Sequence, residues 1–197
     1  MKGPLASQRL FTLDVHVLKD PHETLADSYF GDSGSRYIFG KTHHLFSVQP
    51  AFGWQKRLVP QASLNSIGIW GSLRAGPAFG VLTPYYVEVF APNSPTAENN
   101  RQIEAYDPLV HTYARIVGRA NALSTPFQPS VVLGGAVQGN VLIDLARKDQ
   151  ALSGILLGMA VEGYAQPIRL MARPEEIQAK RWFFTASLGF VFGRRWN

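Results

Sequence analysis

Residues 46–54 read Phe46-Ser47-Val48-Gln49-Pro50-Ala51-Phe52-Gly53-Trp54, so that large apolar side chains alternate with small or polar ones. Side chains of a β-strand point alternately to opposite faces, and this alternation therefore predicts a strand with one apolar face. The same pattern recurs in five further segments, at residues 11–17, 67–75, 131–143, 155–161 and 184–192. The sequence predicts an all-β, antiparallel protein with six strands.

The two faces of these strands differ in a way that indicates the surroundings of the sheet. One face carries mainly Gly, Ser, Thr, Gln and Ala, with few charges, which suits the narrow interior of a small barrel. The other face is apolar along its length, as lipid contact requires, since a Lys or Arg at mid-bilayer costs about 2–4 kcal/mol. We expect the lipid-facing residues to be Phe46, Val48, Phe52, Ile67, Ile69, Leu133, Val137, Ile155, Leu157, Met159, Phe184, Leu188, Phe190 and Phe192.

The lengths of the connections support an up-and-down transmembrane β-barrel. The links at Lys56–Gln61 and Ala146–Ala151 are short, whereas those at Asp20–Lys41, Ala91–Gln128 and Ala165–Lys180 are long. Bacterial barrels alternate tight periplasmic turns with extended outer loops in this manner, and their smallest members have about 8 strands. Six strands leave open edges in hydrocarbon, so we expect two further strands and a signal peptide upstream of Met1.

The composition limits the classes of protein that fit this pattern. The chain of 197 residues suits a single domain, 1–197, and it has no cysteine, which excludes thiolate catalysis and disulfides. Charged residues make up 17% and hydrophobic residues 46%, yet no apolar run reaches the roughly 18 residues that a membrane helix needs. The net charge of +5 is modest and forms no basic stripe beside stacking aromatics, so we do not expect nucleic-acid binding. We also expect no cofactor and no metal.

Several short motifs follow one another along the chain, at residues 11–14, 19–23, 37–41, 53–56, 76–77, 82–86, 106–108, 118–119, 167–172 and 190–195. In the order and spacing of these motifs, the chain resembles the outer-membrane β-barrel proteins of Bacteroidota, a widespread and mostly uncharacterised family. The resemblance runs from about Phe11 to Asn197. It implies an outer-membrane location and a barrel fold, and no established activity.

Four charged residues fall on the face predicted to point inward: Asp14, Arg74, Asp144 and Glu162. An isolated charge in a barrel interior is costly, so we expect Arg74 to pair with one or more of the acids as a polar cluster in the lumen. A structural role that fixes the register of the barrel is the favoured interpretation, and a polar relay is the alternative.

A catalytic site and a helix are the other local features that the sequence suggests. His43, His44 and Ser47 lie near the predicted outer rim, as a lipid-modifying enzyme would require, but adjacent residues on a strand face opposite ways and no nucleophile motif accompanies them. These histidines, with His22 and His111, are therefore expected to be solvated and non-catalytic. In the long outer loop, Asp107-Pro108 and the apolar residues up to Gly118 predict a short helix.

These observations lead to one leading hypothesis and two alternatives. The leading hypothesis is a small, non-enzymatic outer-membrane barrel with a structural, assembly or surface-interaction role, in contact with membrane lipids and with an outer-membrane protein partner. The first alternative is a lipid-modifying enzyme of the outer leaflet. The second is a soluble antiparallel β-protein that binds a partner, in which the apolar face of Phe184, Leu188 and Phe190 points inward and is covered.

Overall fold

The protein is all-β, as the alternation predicts, and its strands are antiparallel. The computed structural model describes residues 7–28, 35–59, 67–91, 101–107, 109–145, 151–172 and 179–194. The strands are β1 (Gln8–Leu18), β2 (Leu25–Ala26), β3 (Tyr37–Ile38), β4 (His43–Val59), β5 (Gly68–Pro84), β6 (Tyr86–Phe90), β7 (Arg101–Ala105), β8 (Ile116–Arg119), β9 (Ser130–Asp144), β10 (Ala151–Ile168) and β11 (Lys180–Arg194).

The six long strands form one sheet in the order β1-β4-β5-β9-β10-β11, so strands that follow one another in this series pair as neighbours. All six segments predicted from the sequence are confirmed as strands of this sheet. The strand ends that residues 60–67 and 145–150 join lie at one end of the sheet, and those that residues 19–42, 85–129 and 169–179 join lie at the other. We call the described residues of the three long connections the crown.

The sheet is strongly curled. His16 on β1 and Glu162 on β10 are separated by β4, β5 and β9, and in a flat sheet four steps of about 4.8 Å would place them roughly 19 Å apart. Their side chains instead meet at 2.6 Å, between His16 Nε2 and Glu162 Oε1. At the crown, Lys180 of β11 lies 2.8 Å from Asp20, two residues after β1. The edges therefore approach each other, but no backbone pairing joins β1 to β11 in the described residues.

Pro50 lies inside β4, where a proline removes a hydrogen bond from the ladder. The register pairs Val48 with Phe79 and Phe52 with Ala75, which places Pro50 opposite Pro77 of β5. Cross-strand pairing between β4 and β5 is interrupted around this point, at residues 49–51. Because the two residues that lack an N–H face each other, the interruption stays local.

The described residues form two buried apolar clusters, one inside the curled sheet and one in the crown. The first closes the crown end of the interior and comprises Leu18, Leu45, Ala78, Val132, Ala136, Tyr164, Ile168, Leu170 and Phe183. The second holds the small sheets of the crown together and comprises Tyr37, Tyr85, Val87, Val89, Tyr106 and Ile116. In the crown, β2 pairs with β3, and β6 lies between β7 and β8.

The predicted helix at residues 107–118 is wrong. Among the described residues of this stretch, the only helical element is a single 3-10 turn at Tyr113–Arg115, after which the chain enters β8. Asp107 caps a tight turn, because its carboxylate accepts a hydrogen bond from the Leu109 N–H at 2.9 Å. The β-branched Ile116 and Val117 that resembled a helical stripe are buried in a strand beside β6. Pro108, the predicted first helical residue, lies outside the described residues.

The outward face of the large sheet is apolar and exposed. Phe184, Leu188 and Phe190 are 77%, 70% and 71% exposed, so the covered apolar face that the soluble alternative predicts is not found. Each residue expected to face lipid lies on this surface, and none of them is buried. We call this surface the apolar belt; its outward positions lie within 11–17, 46–54, 67–81, 131–143, 155–161 and 182–192, and none of them carries a charge.

Candidate functional site in the interior of the sheet

Polar side chains from five strands meet in the middle of the interior. Each stands at an inward position, next in sequence to an outward apolar residue, because side chains alternate along a strand. We call this set the polar network; its members are Thr12, Asp14, His16, Ser47, Gln49, Arg74, Gln138, Glu162 and Tyr164.

Glu162 is the centre of one half of the network and is completely buried. Its Oε1 lies 2.6 Å from His16 Nε2. Its Oε2 accepts hydrogen bonds from Ser47 Oγ at 3.0 Å and from the Tyr164 hydroxyl at 2.9 Å. Each carboxylate oxygen therefore has a partner, as a buried charge requires.

Arg74 is the centre of the other half. One arm of its guanidinium, Nη1, donates to Thr12 Oγ1 at 2.7 Å and lies 3.3 Å from Asp14 Oδ2. The other arm, Nη2, donates to Gln138 Oε1 at 2.7 Å. Arg74 thus pairs with Asp14 among the acids, and its planar fork spans from β1 to β9 across the interior.

The side-chain amides of Gln49 and Gln138 join the two halves of the polar network. Gln138 Nε2 donates to Gln49 Oε1 at 2.7 Å, and Gln49 Nε2 donates to Ser47 Oγ at 2.9 Å. A continuous path of hydrogen bonds therefore runs from Asp14 through Arg74 to Glu162 and back to β1 at His16. The buried Nε of Arg74 has no hydrogen-bond partner among the described residues. The other contacts tie five strands together across the interior, and such cross-links favour the curled arrangement of the sheet.

Asp144, the fourth member of the predicted cluster, lies elsewhere. It is six residues beyond Gln138 on β9, about 20 Å along the strand, at the end with the short connections. Its side chain is buried, and its neighbours across the sheet are Gly68 and Gly154. The structure thus connects Asp14, Arg74 and Glu162 through the network and places Asp144 outside it.

The network contains Ser, His and Glu, but their order differs from that of a catalytic triad. In a triad the imidazole lies between the nucleophile and the acid, so that it can accept the hydroxyl proton. Here Glu162 lies between Ser47 and His16. Ser47 is fully buried and donates its proton to a carboxylate. This geometry binds strands together and offers no activated nucleophile.

The rim residues considered for lipid chemistry do not converge. His44 points outward, with its ring centroid 5.4 Å from that of Tyr85, whereas Ser47 points inward to Glu162. His43 Nδ1 lies 3.1 Å from Thr42 Oγ1. Burial, and next the charge of Lys41, lower the pKa of His44, which stands at the rim beyond the apolar belt, to about 4.

The expectation of solvated histidines is wrong for His111, which is only 3% exposed. The Asp107 N–H donates to His111 Nδ1 at 2.9 Å, so the proton of a neutral ring is on Nε2, which lies 2.8 Å from Glu104 Oε2. The ring stacks on Tyr106. His22 is exposed and lies 2.9 Å from Asp20. Both residues shape the crown.

A hydroxyl and an ion pair hold the crown together, and a second ion pair ties it to β11. The Tyr85 hydroxyl accepts the Ile38 N–H at 3.0 Å, and burial raises the pKa of Tyr85. Lys41 is buried and lies 2.8 Å from Glu23. Burial alone would raise the pKa of Asp20, but hydrogen bonds from Lys180 and His22 outweigh it and lower that pKa to about 2.

Sequence reasoning missed most of the network. Thr12, His16, Gln49, Gln138 and Tyr164 were not singled out, and Ser47 was considered only as a rim nucleophile. The signal that could have found them is their position: each is a hydrogen-bonding side chain at an inward place near the middle of a strand.

The described residues contain no group of three or more His, Cys, Asp or Glu that could hold a metal ion. Within the same part of the chain, no helix is long and apolar enough to cross a membrane. Comparisons with protein-family models, with curated proteins and with solved structures find no match to this chain.

Proposed function

We propose that this chain is an outer-membrane β-barrel protein with a structural or surface-interaction role and no catalysis. Its apolar belt contacts membrane lipid, its polar network fills the interior, and its crown faces the outside of the cell. Membrane lipids are its first partners, and the crown is the surface on which an outer-membrane protein partner would dock.

The observation that carries the proposal is that the two faces of the sheet are reversed relative to those of a soluble β-protein, in which the apolar face is buried and the polar face is exposed. Charged and amide side chains are buried inside, whereas the apolar belt is exposed on all six long strands. The largest apolar patch on a soluble monomer is about 300–600 Å², and larger patches mark interaction or membrane surfaces. Removing apolar area from water gains about 25 cal/mol of free energy per Å². Exposing the apolar belt to water would therefore be strongly unfavourable.

The length of the belt also fits. A transmembrane β-strand needs about 9–11 residues. The uncharged outward stretch of β4 extends from Phe46 to Trp54, and that of β5 extends from Ile69 to Val81. Strands of this length span the hydrocarbon core when tilted.

In the part of the chain that the structure describes, the outer edges of β1 and β11 are unpaired, and this sets a condition on the proposal. In hydrocarbon an open edge leaves backbone groups unpaired at several kcal/mol each, so these edges must be paired in the membrane. The smallest bacterial barrels have about 8 strands, so two strands added to the six of this sheet would reach that number.

Tryptophan fluorescence tests the proposal directly. Trp54 and Trp182 lie on the apolar belt, whereas Trp70 lies on the inward face and is buried. We would fold variants that retain one of these tryptophans, with Phe at the other tryptophan positions, in bilayers of lipids brominated high on the acyl chain. Bromine quenches an indole on contact, so we expect strong quenching of Trp54 and Trp182 and little of Trp70. Equal quenching of all three, or none, would contradict the proposal.

A further inference from the structure

A cavity of about 360 Å³ lies on the outward face of the sheet at its crown end. Its floor is the outer surface of the β4–β5 hairpin, where His44 pairs with Thr83 and Phe46 with Val81. Its roof is the chain that leaves β8, from Arg119 to Phe127. The cavity therefore opens where the crown meets the apolar belt.

The walls of the cavity divide into an apolar part and a polar part. Phe46, Phe127, Pro84 and Pro126 supply the apolar part, and Arg119 and His44 supply the polar part. Phe127 is 79% exposed, so this apolar wall is available to a ligand. Such a site suits a molecule with one charged end and one apolar end.

Arg119 is the cation of the site. Its side chain is exposed, and it takes part in none of the ion pairs found among the described residues. A guanidinium presents its donors in a fixed fork that matches phosphate and carboxylate. In the described part of the chain neither ring nitrogen of His44 has a hydrogen-bond partner, and its lowered pKa keeps the ring neutral at pH 7. His44 thus adds a neutral donor beside the charge.

We propose that this cavity binds an anionic lipid, with its phosphate on Arg119 and its acyl chain against Phe46 and Phe127. Phe46 belongs to the apolar belt, so a chain that leaves the cavity continues along the surface proposed to contact hydrocarbon. This inference rests on the proposed function and deepens it, because it names the chemistry of a specific lipid partner.

The test uses the full chain in a neutral detergent and three probes. Dihexanoyl phosphatidic acid carries both the phosphate and the acyl chains. Dihexanoyl phosphatidylcholine carries the chains without net charge, and inorganic phosphate carries the charge without chains. Calorimetry should show that phosphatidic acid binds at least about tenfold more tightly than either of the others. Equal binding of phosphatidylcholine, or binding of inorganic phosphate as tight as that of phosphatidic acid, would overturn the proposal.

Two variants and one control locate the site. Arg119→Gln removes the charge from an exposed residue and should weaken phosphatidic acid binding about tenfold or more. Ala122→Trp fills the cavity from its exposed margin and should abolish binding with the charge still present. Arg169→Gln removes an exposed arginine elsewhere in the crown and should leave binding unchanged. Unchanged binding in Arg119→Gln, or an equal loss in Arg169→Gln, would contradict the assignment.

Failure of this inference is distinguishable from failure of the proposed function. If phosphatidic acid binds through Arg119 but bromolipids do not quench Trp54 and Trp182, the cavity stands as a lipid site and the membrane proposal fails. If the tryptophans are quenched and phosphatidic acid does not bind, only the cavity assignment is wrong.

Discussion

The Nε2 atom of His16 lies 2.6 Å from the Oε1 atom of Glu162, although three strands separate their own strands in the sheet. This contact is possible only because the sheet curls until β1 faces β10. The polar network between them makes the same connection through Ser47, Gln49, Gln138 and Arg74. These hydrogen bonds across the interior therefore join strands that only a curled sheet brings together.

Replacing Glu162 with Ala should lower the free energy of unfolding by about 3 kcal/mol or more, because three polar partners lose their acceptor inside the protein. The matched control is Glu88→Ala, since Glu88 is partly exposed and lies 3.9 Å from Arg101 in the crown. Glu88→Ala should lower the free energy of unfolding by less than about 1 kcal/mol. Urea unfolding of both variants measures the difference, and equal losses would show that the network does not stabilise the interior.

Gly53 should tolerate no side chain, because a Cβ there would collide with the carbonyl oxygen of Leu73 on the neighbouring strand. Gly53→Ala should cost about 1–3 kcal/mol through overpacking. Gly189 also points inward, and a Cβ at that position meets nothing within 4 Å. Gly189→Ala should therefore leave the unfolding midpoint almost unchanged. Comparable losses at the two positions would contradict the close contact between β4 and β5.

The contact between Asp20 and Lys180 should weaken in acid. The pKa of Asp20 falls from 3.8 to about 2 on folding, so its contribution to stability is complete above pH 3.8 and is lost as the pH falls towards 2. Asp20→Asn should have a lower free energy of unfolding than the wild type at pH 7. This difference between the two proteins should disappear by about pH 2.

The control for this experiment is Asp27→Asn, because Asp27 pairs with Arg36 but is 82% exposed. Its effect at pH 7 should be at most about 1 kcal/mol. Unfolding followed at pH 7 and pH 2 separates the two cases. A gap for Asp20→Asn that stays constant with pH would show that the contact does not depend on the charge of Asp20.

The long strands and their faces could be predicted from the sequence because they depend on local alternation. Phe46, Phe52 and Trp54 fall on one face for the same geometric reason that Ser47 and Gln49 fall on the other. These features need no knowledge of what lies across the interior.

The partners across the interior could not be predicted, because they depend on how far the sheet curls. Nothing near Glu162 in the sequence indicates that His16, 146 positions away, would meet it. The helix predicted in the crown was wrong for a different reason. Ile116 and Val117 fit the apolar stripe of a helix as well as they fit a strand, and only the pairing with β6 decides between the two structures. The face of a strand on which a residue lies could be predicted from the sequence, whereas contacts between distant strands could not.

Spin labels at Phe190 and Gly189 test the central claim most directly. The chain has no cysteine, so Phe190→Cys and Gly189→Cys each provide one labelling site, on adjacent residues that point to opposite faces of β11. In bilayers, we expect the label at 190 to collide readily with dissolved oxygen and hardly at all with a water-soluble nickel chelate. The label at 189 should show less exposure to oxygen. Ready collision of the label at 190 with the nickel chelate, or oxygen exposure at 190 no higher than at 189, would contradict the assignment of the apolar belt to lipid.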